Sequence, residues 1–155
     1  MADNHAVRDR ITQLALGYRV SKSAATLPAT TTQNIFTITG GRIAVFLLLG
    51  EVTTIVQAQA CNLKVTSAPT TGTAVDLSSN LDINGKEAGT LLLSELDGTA
   101  LVGANAGAAL SGVGTAFCIV PIGSIRIETS ATNTGATKWD LFYFPLDMGA
   151  VAVSA

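Results

Sequence analysis

A chain of 155 residues with 48% hydrophobic content can bury the core of one β-domain but not of two. A formal net charge of −2, with no cluster of Lys and Arg interleaved with aromatics, excludes the electrostatic footprint of a nucleic-acid binder. Only 13% of the residues are charged, against roughly 25% in an average soluble domain, so a surface clothed in Thr, Ser, Asn, Ala and Gly is expected. Such a surface suits a protein whose faces are covered by copies of itself or by a scaffold.

Taken from the N-terminus, residues 1–24 differ from everything after them and read as an arm. Val7, Ile11 and Leu14 fall at i, i+4 and i+7, with Asp3 or Asn4 as an N-cap and Gly17 as a stop, a spacing compatible with a short amphipathic helix. Arg8, Arg10, Arg19 and Lys22 in the same segment would let it dock on an acidic neighbour. Residues 1–20 contain no solid apolar stretch and do not match a signal peptide, so synthesis in the cytoplasm is expected. The longest uninterrupted apolar run, residues 43–49, is far shorter than the ~20 residues that cross a bilayer, so no membrane partner is expected.

From residue 25 to 155 the pattern is that of a single all-β domain, an antiparallel β-sandwich or barrel. Candidate strands are 34–39, 42–49, 53–60, 62–66, 74–77, 90–93, 100–103, 116–121, 124–129 and 138–144. Gly40-Gly41, Asn84-Gly85 and Asp97-Gly98 supply the positive φ that tight turns demand, and each is expected to close a hairpin. Residues 64–72 and 126–135 share a strand, Thr-Ser-Ala, Thr-Gly design, which predicts two hairpins of like build. Between them, the Gly/Ala-rich stretch 103–114 has no Gly-Lys-Ser/Thr and no strand-to-helix context. It reads as a long loop suited to touching a neighbouring subunit. In the last candidate strand Trp139, Leu141 and Tyr143 alternate with Asp140, Phe142 and Phe144, so both faces are apolar over most of its length, as at a subunit contact.

The chain offers little catalytic chemistry. Its one histidine, His5, lies in the arm, far from Cys61 and Cys118, which removes His-based nucleophilic catalysis and a zinc site from the expectations. The two cysteines sit in apolar flanks and are expected to be free, buried thiols. Asp76, Asp82, Glu87, Glu95 and Asp97 all sit in or near turns, where acids cap backbone N–H groups. No enzyme activity and no cofactor are expected.

The sequence Ala-Thr-Leu-Pro-Ala-Thr-Thr-Thr-Gln-Asn-Ile-Phe-Thr-Ile-Thr-Gly-Gly-Arg from Ala25 is followed by Gly-Glu-Val-Thr-Thr from Gly50, Leu-Asp-Ile-Asn-Gly from Leu81 and Lys-Trp-Asp-Leu from Lys138. In this run the chain resembles the small β-rich virion proteins of tailed bacteriophages, a group that includes head decoration or cement proteins. The resemblance implies a jelly-roll-like sandwich on the outer capsid surface, a homo-oligomer, commonly a trimer, that clamps copies of the major capsid protein. It carries over no site residues. Candidate assembly contacts follow instead from the arm and the two-faced strand: Val7, Arg8, Arg10, Ile11, Leu14, Arg19, Phe142 and Phe144. The alternative is a head-fibre or tail component with a lectin-like, receptor-binding sandwich.

Overall fold

A computed structural model describes residues 17–94, 96, 101 and 117–155. Among these residues the chain forms eleven strands and no helix. They are β1 (Tyr18–Thr26), β2 (Thr32–Thr39), β3 (Ile43–Thr54), β4 (Asn62–Pro69), β5 (Val75–Asp76), β6 (Leu81–Asp82), β7 (Leu91–Ser94), β8 (Cys118–Val120), β9 (Gly123–Thr129), β10 (Ala136–Pro145) and β11 (Val151–Ser154).

All pairings are antiparallel. The first sheet runs β1-β10-β3, and beyond β3 lie β7, beside Leu48 to Glu51, and β8, beside Ile43 to Val45. The second runs β11-β2-β9-β4, with β5 and β6 both beside β4. Taking β7 with β8 and β5 with β6 as single broken strands leaves two four-stranded sheets plus β11, in the two-Greek-key order of a jelly roll. The fold is therefore an all-β antiparallel sandwich, as the sequence pattern predicts.

Alternation explains why the layers meet where they do. In β9, Ile125, Ile127 and Thr129 are buried between the sheets while Ser124, Arg126 and Glu128 point outward. Across the gap, β10 contributes Trp139, Leu141 and Tyr143, and β2 and β4 contribute Phe36, Ile38, Leu63 and Val65, all buried. Each large apolar chain removed from water contributes about 1.5–3 kcal/mol. The polar tips inside are satisfied: the Trp139 indole N–H donates to Thr137 Oγ1 at 3.0 Å, and the Tyr143 hydroxyl accepts from the Ala152 N–H at 3.2 Å. Gly50 stands opposite Trp139 in the ladder, and a Cβ there would come within 2.7 Å of the indole ring.

Several expectations are corrected. The body begins at Tyr18 and not at residue 25, because residues 18–26 pair with β10 as the edge of the first sheet. Gly40-Gly41 carries positive φ angles of 74° and 151° but joins strands of different sheets, and Asn84-Gly85 lies between β6 and β7, which also belong to different sheets. In a jelly roll most consecutive strands lie in opposite layers, so these glycines turn the chain between layers and close no hairpin. Of the two like-built segments, β4 and β5 do form a local antiparallel pair, whereas β9 and β10 lie in different sheets. The candidate strand 53–60 ends at Thr54. Asp97-Gly98, the loop 103–114 and residues 1–16 of the arm lie outside the described residues.

Candidate assembly surface

The outward face of the first sheet carries an aromatic group. β10 places Phe142 and Phe144 there by simple alternation, since their neighbours Leu141 and Tyr143 point into the core. β3 adds Phe46 by a different device. Phe142 pairs with Leu47 and Tyr143 with Val45, so Phe46 is an extra residue in a β-bulge. Its ring stacks on Phe144, centroids 5.1 Å apart, and lies 6.4 Å from Phe142 at an interplanar angle of 53°. These are the offset and tilted geometries that aromatic pairs favour. Leu47 and Leu49 beside them are only half-buried, and Ile119 on β8 is exposed.

Arg19 borders this group from β1. Its guanidinium carbon lies 5.8 Å from the centre of the Phe142 ring, and its Nε and Nη2 donate to Asp140 Oδ1 at 3.0 and 2.9 Å. The Ser21 hydroxyl donates to the same oxygen at 2.5 Å. Three donors on one carboxylate oxygen hold the Arg19 plane against the ring, an arrangement that leaves the aromatic face exposed while its charge is paired. Of the residues expected at an assembly contact, Arg19, Phe142 and Phe144 thus meet on one face, although Arg19 belongs to a strand and not to an arm. Val7, Arg8, Arg10, Ile11 and Leu14 lie outside the described residues.

A second apolar feature, not anticipated, stands at one end of the sandwich, where β2 turns into β3 and β10 into β11. Arg42 grips Asp147 with both side chain and backbone: Nη2 to Oδ1 at 2.7 Å, Nε to Oδ2 at 2.9 Å and the main-chain N–H to Oδ2 at 2.7 Å. Those hydrogen bonds, from the guanidinium first, hold the Asp147 carboxyl well below the usual carboxylate range and raise Arg42. The Leu146 N–H donates to the Arg42 carbonyl and the Ala150 N–H to the Asp147 carbonyl, at 2.9 and 3.1 Å. At the tip, Met148 is 101% exposed, flanked by exposed Leu146 and Val151. Arg42 and Asp147 are 105 residues apart, so no local signal announces their pairing. The turn composition Asp-Met-Gly was the one available clue.

The third feature lies at the opposite edge, where the sheets part between β5 and β8. A cavity of about 390 Å³ opens there, lined mainly by Val75, Leu77, Leu96, Cys118, Ile119 and Pro121. Burial pushes the Cys118 thiol up to about 11, and Cys118 is half-buried where full burial was expected. Cys61 is fully buried, and both are free thiols. The one carboxylate at the cavity, Asp76, is tied to Lys64 Nζ at 3.0 Å and accepts from the Thr66 hydroxyl at 3.1 Å. The Lys64 hydrogen bond lowers Asp76 and the same bond raises Lys64. Asp82 accepts from the Asn84 N–H at 2.9 Å, the turn-capping role expected of it. Among the described residues no group of three or more His, Cys, Asp or Glu is placed to hold a metal, and no helix is long and apolar enough to cross a membrane.

A jelly-roll sandwich with paired surface charges and exposed apolar groups is the class of protein that fold and surface define. No family model matches the chain, and no curated protein matches it. Among solved structures it is similar to a chain in the structure of infectious bursal disease virus, Gx strain, at 13% identity and a TM-score of 0.24. That similarity covers 87% of this chain and spans about a third, 33%, of the viral one.

Proposed function

We propose that this chain is a structural virion protein, a head decoration or cement protein of a tailed bacteriophage. In this reading it binds the outer surface of the head shell as a homo-oligomer, with the major capsid protein as its partner, and turns over no substrate. The observation that carries the reading is the exposed aromatic face of Phe46, Phe142 and Phe144, bordered by an Arg19 whose charge is already paired. A monomer has no use for a large apolar group left in water, and aromatic residues with Arg are the side chains that dominate protein contacts. The low charge of the whole chain and the jelly-roll topology support the same role.

The test is the temperature at which head shells lacking the protein open, measured with and without it, beside binding to host-cell glycans. A rise in the opening temperature supports the cement role. An unchanged opening temperature with saturable glycan binding supports the fibre or tail reading instead.

A further inference from the structure

The exposed Met148 turn and the apolar cavity between β5 and β8 are complementary, and one copy cannot join its own. Both lie toward the same end of the sandwich: Val120 of β8 pairs with Ile43, next to Arg42, while Pro69 at the cavity pairs with Gly123, itself paired with Ile38. They stand at opposite edges, however, with β2, β9 and β4 between β11 and β5. At ~4.8 Å per strand that separation is roughly 19 Å, far beyond the reach of a turn.

We propose that the Met148 turn of one copy inserts into the Cys118-lined cavity of the next, so that copies assemble head to tail. This deepens the proposed function by naming the contact through which the oligomer forms, and it rests on that reading only for the existence of an oligomer. The turn is built to be inserted. Arg42 holds Asp147 by three hydrogen bonds, and a Cβ on Gly41 would already meet the Asp147 side chain at 2.5 Å, so the turn is closely packed before any partner arrives. A preorganised apolar knob binds without the entropy cost of ordering a loop. Methionine is also the apolar side chain best able to fill an irregular hollow.

Charge favours the same match. Arg42 and Asp147 neutralise each other beside the knob, and Asp76 at the cavity is neutralised by Lys64, so docking buries no unpaired charge. Cavity walls of Val75, Leu77, Leu96, Ile119 and Pro121 offer the apolar lining that an inserted Met148 with Leu146 requires. Because knob and cavity are different surfaces, the contact is heterologous, and repeated contacts close into a ring when the rotation between copies permits.

The full-length Met148→Cys variant tests the contact directly. Oxidation by copper–phenanthroline, which takes the two electrons as two thiols lose their protons and join, is expected to give covalent oligomers that reductant reverses. Where the two sulfurs stand too far apart for a direct bond, a short bis-maleimide bridges them. Neither product should form in the Met148→Cys/Cys118→Ser double variant. In parallel, Met148→Asp should reduce the mass seen by light scattering to that of one chain and speed labelling of Cys118 by at least ~10-fold, with unchanged circular dichroism, while Met148→Leu keeps the oligomer. A wild-type protein that is a single chain at every concentration overturns the proposal, as do cross-links independent of Cys118 or a Met148→Asp variant that remains oligomeric. Shell binding is read separately: a single chain that still binds shells removes this contact and leaves the cement role, and an oligomer cross-linked through Cys118 that binds none does the reverse.

Discussion

Asp147 ties two distant turns together through one carboxylate, and its effect on stability has a definite sign. Its pKa in the folded chain is depressed by Arg42, so the stabilisation is fully present above the unfolded value of about 3.9 and is lost as pH falls through the lower folded value. The melting temperature of the wild type should therefore exceed that of Asp147→Asn by a constant gap between about pH 5 and 8, and the gap should close below about pH 4. Equal melting curves for the two at neutral pH would show that the grip contributes nothing. Gly50 makes a steric case at the same scale. A methyl group there would push on the buried Trp139 indole from 2.7 Å. Gly50→Ala should cost about 1–3 kcal/mol, lowering the melting temperature by several degrees in circular dichroism. Glycine at this position is explained by the ring it faces and not by backbone freedom.

Elements were legible in proportion to how clearly one face is buried. β9 announces itself because Ile125 and Ile127 alternate with Arg126 and Glu128, and β10 because Trp139, Leu141 and Tyr143 share a face. β1 does not: as an edge strand it has no buried residue, and Tyr-Arg-Val-Ser-Lys-Ser-Ala-Ala-Thr shows no alternation to read. The bulge at Phe46 lies in a continuous apolar run, residues 43–49, where a skipped register leaves no trace in the pattern, so Phe142 and Phe144 were foreseen and their third partner was not. Removing residues 1–26 would delete β1 and with it the Arg19 and Ser21 bonds to Asp140, and should lower the melting temperature, so a truncation that tests the arm stops at residue 16. At the other end of the sandwich, buried Asn133 accepts from the Gln57 and Gly135 N–H groups at 3.0 and 2.8 Å, joining the β3–β4 and β9–β10 crossings. Asn133→Ala leaves those donors unpaired and should cost about 1–3 kcal/mol in a denaturant titration, with little change in slope.

For the whole molecule, the parts combine into a sandwich whose surface charges are largely paired locally, as in Lys64 with Asp76 and Glu128 and in Lys138 with Glu51. Its apolar groups, by contrast, are left in water at the Phe46, Phe142 and Phe144 face, at the Met148 turn and around the β5–β8 cavity. Exposed ion pairs of this kind add only about 0.2–1 kcal/mol each, so they do little for stability and serve mainly to keep charge from opposing contact. Topology was the least legible feature, because strand order in a jelly roll pairs segments far apart in the chain, and periodicity alone reports nothing about which strands are neighbours. Replacing Phe142 and Phe144 together by Ser should leave the fold intact by circular dichroism and weaken shell capture by at least ~10-fold, the loss expected when aromatic anchors leave an interface.

The most direct measurement of the shell-binding claim is co-sedimentation of the purified protein with intact heads that lack it, over a range of protein concentrations. The account predicts saturable binding at a fixed ratio of protein to major capsid protein, reduced by the Phe142→Ser/Phe144→Ser variant. Protein that stays in the supernatant at every concentration, while the same heads accept another decoration protein, would contradict it.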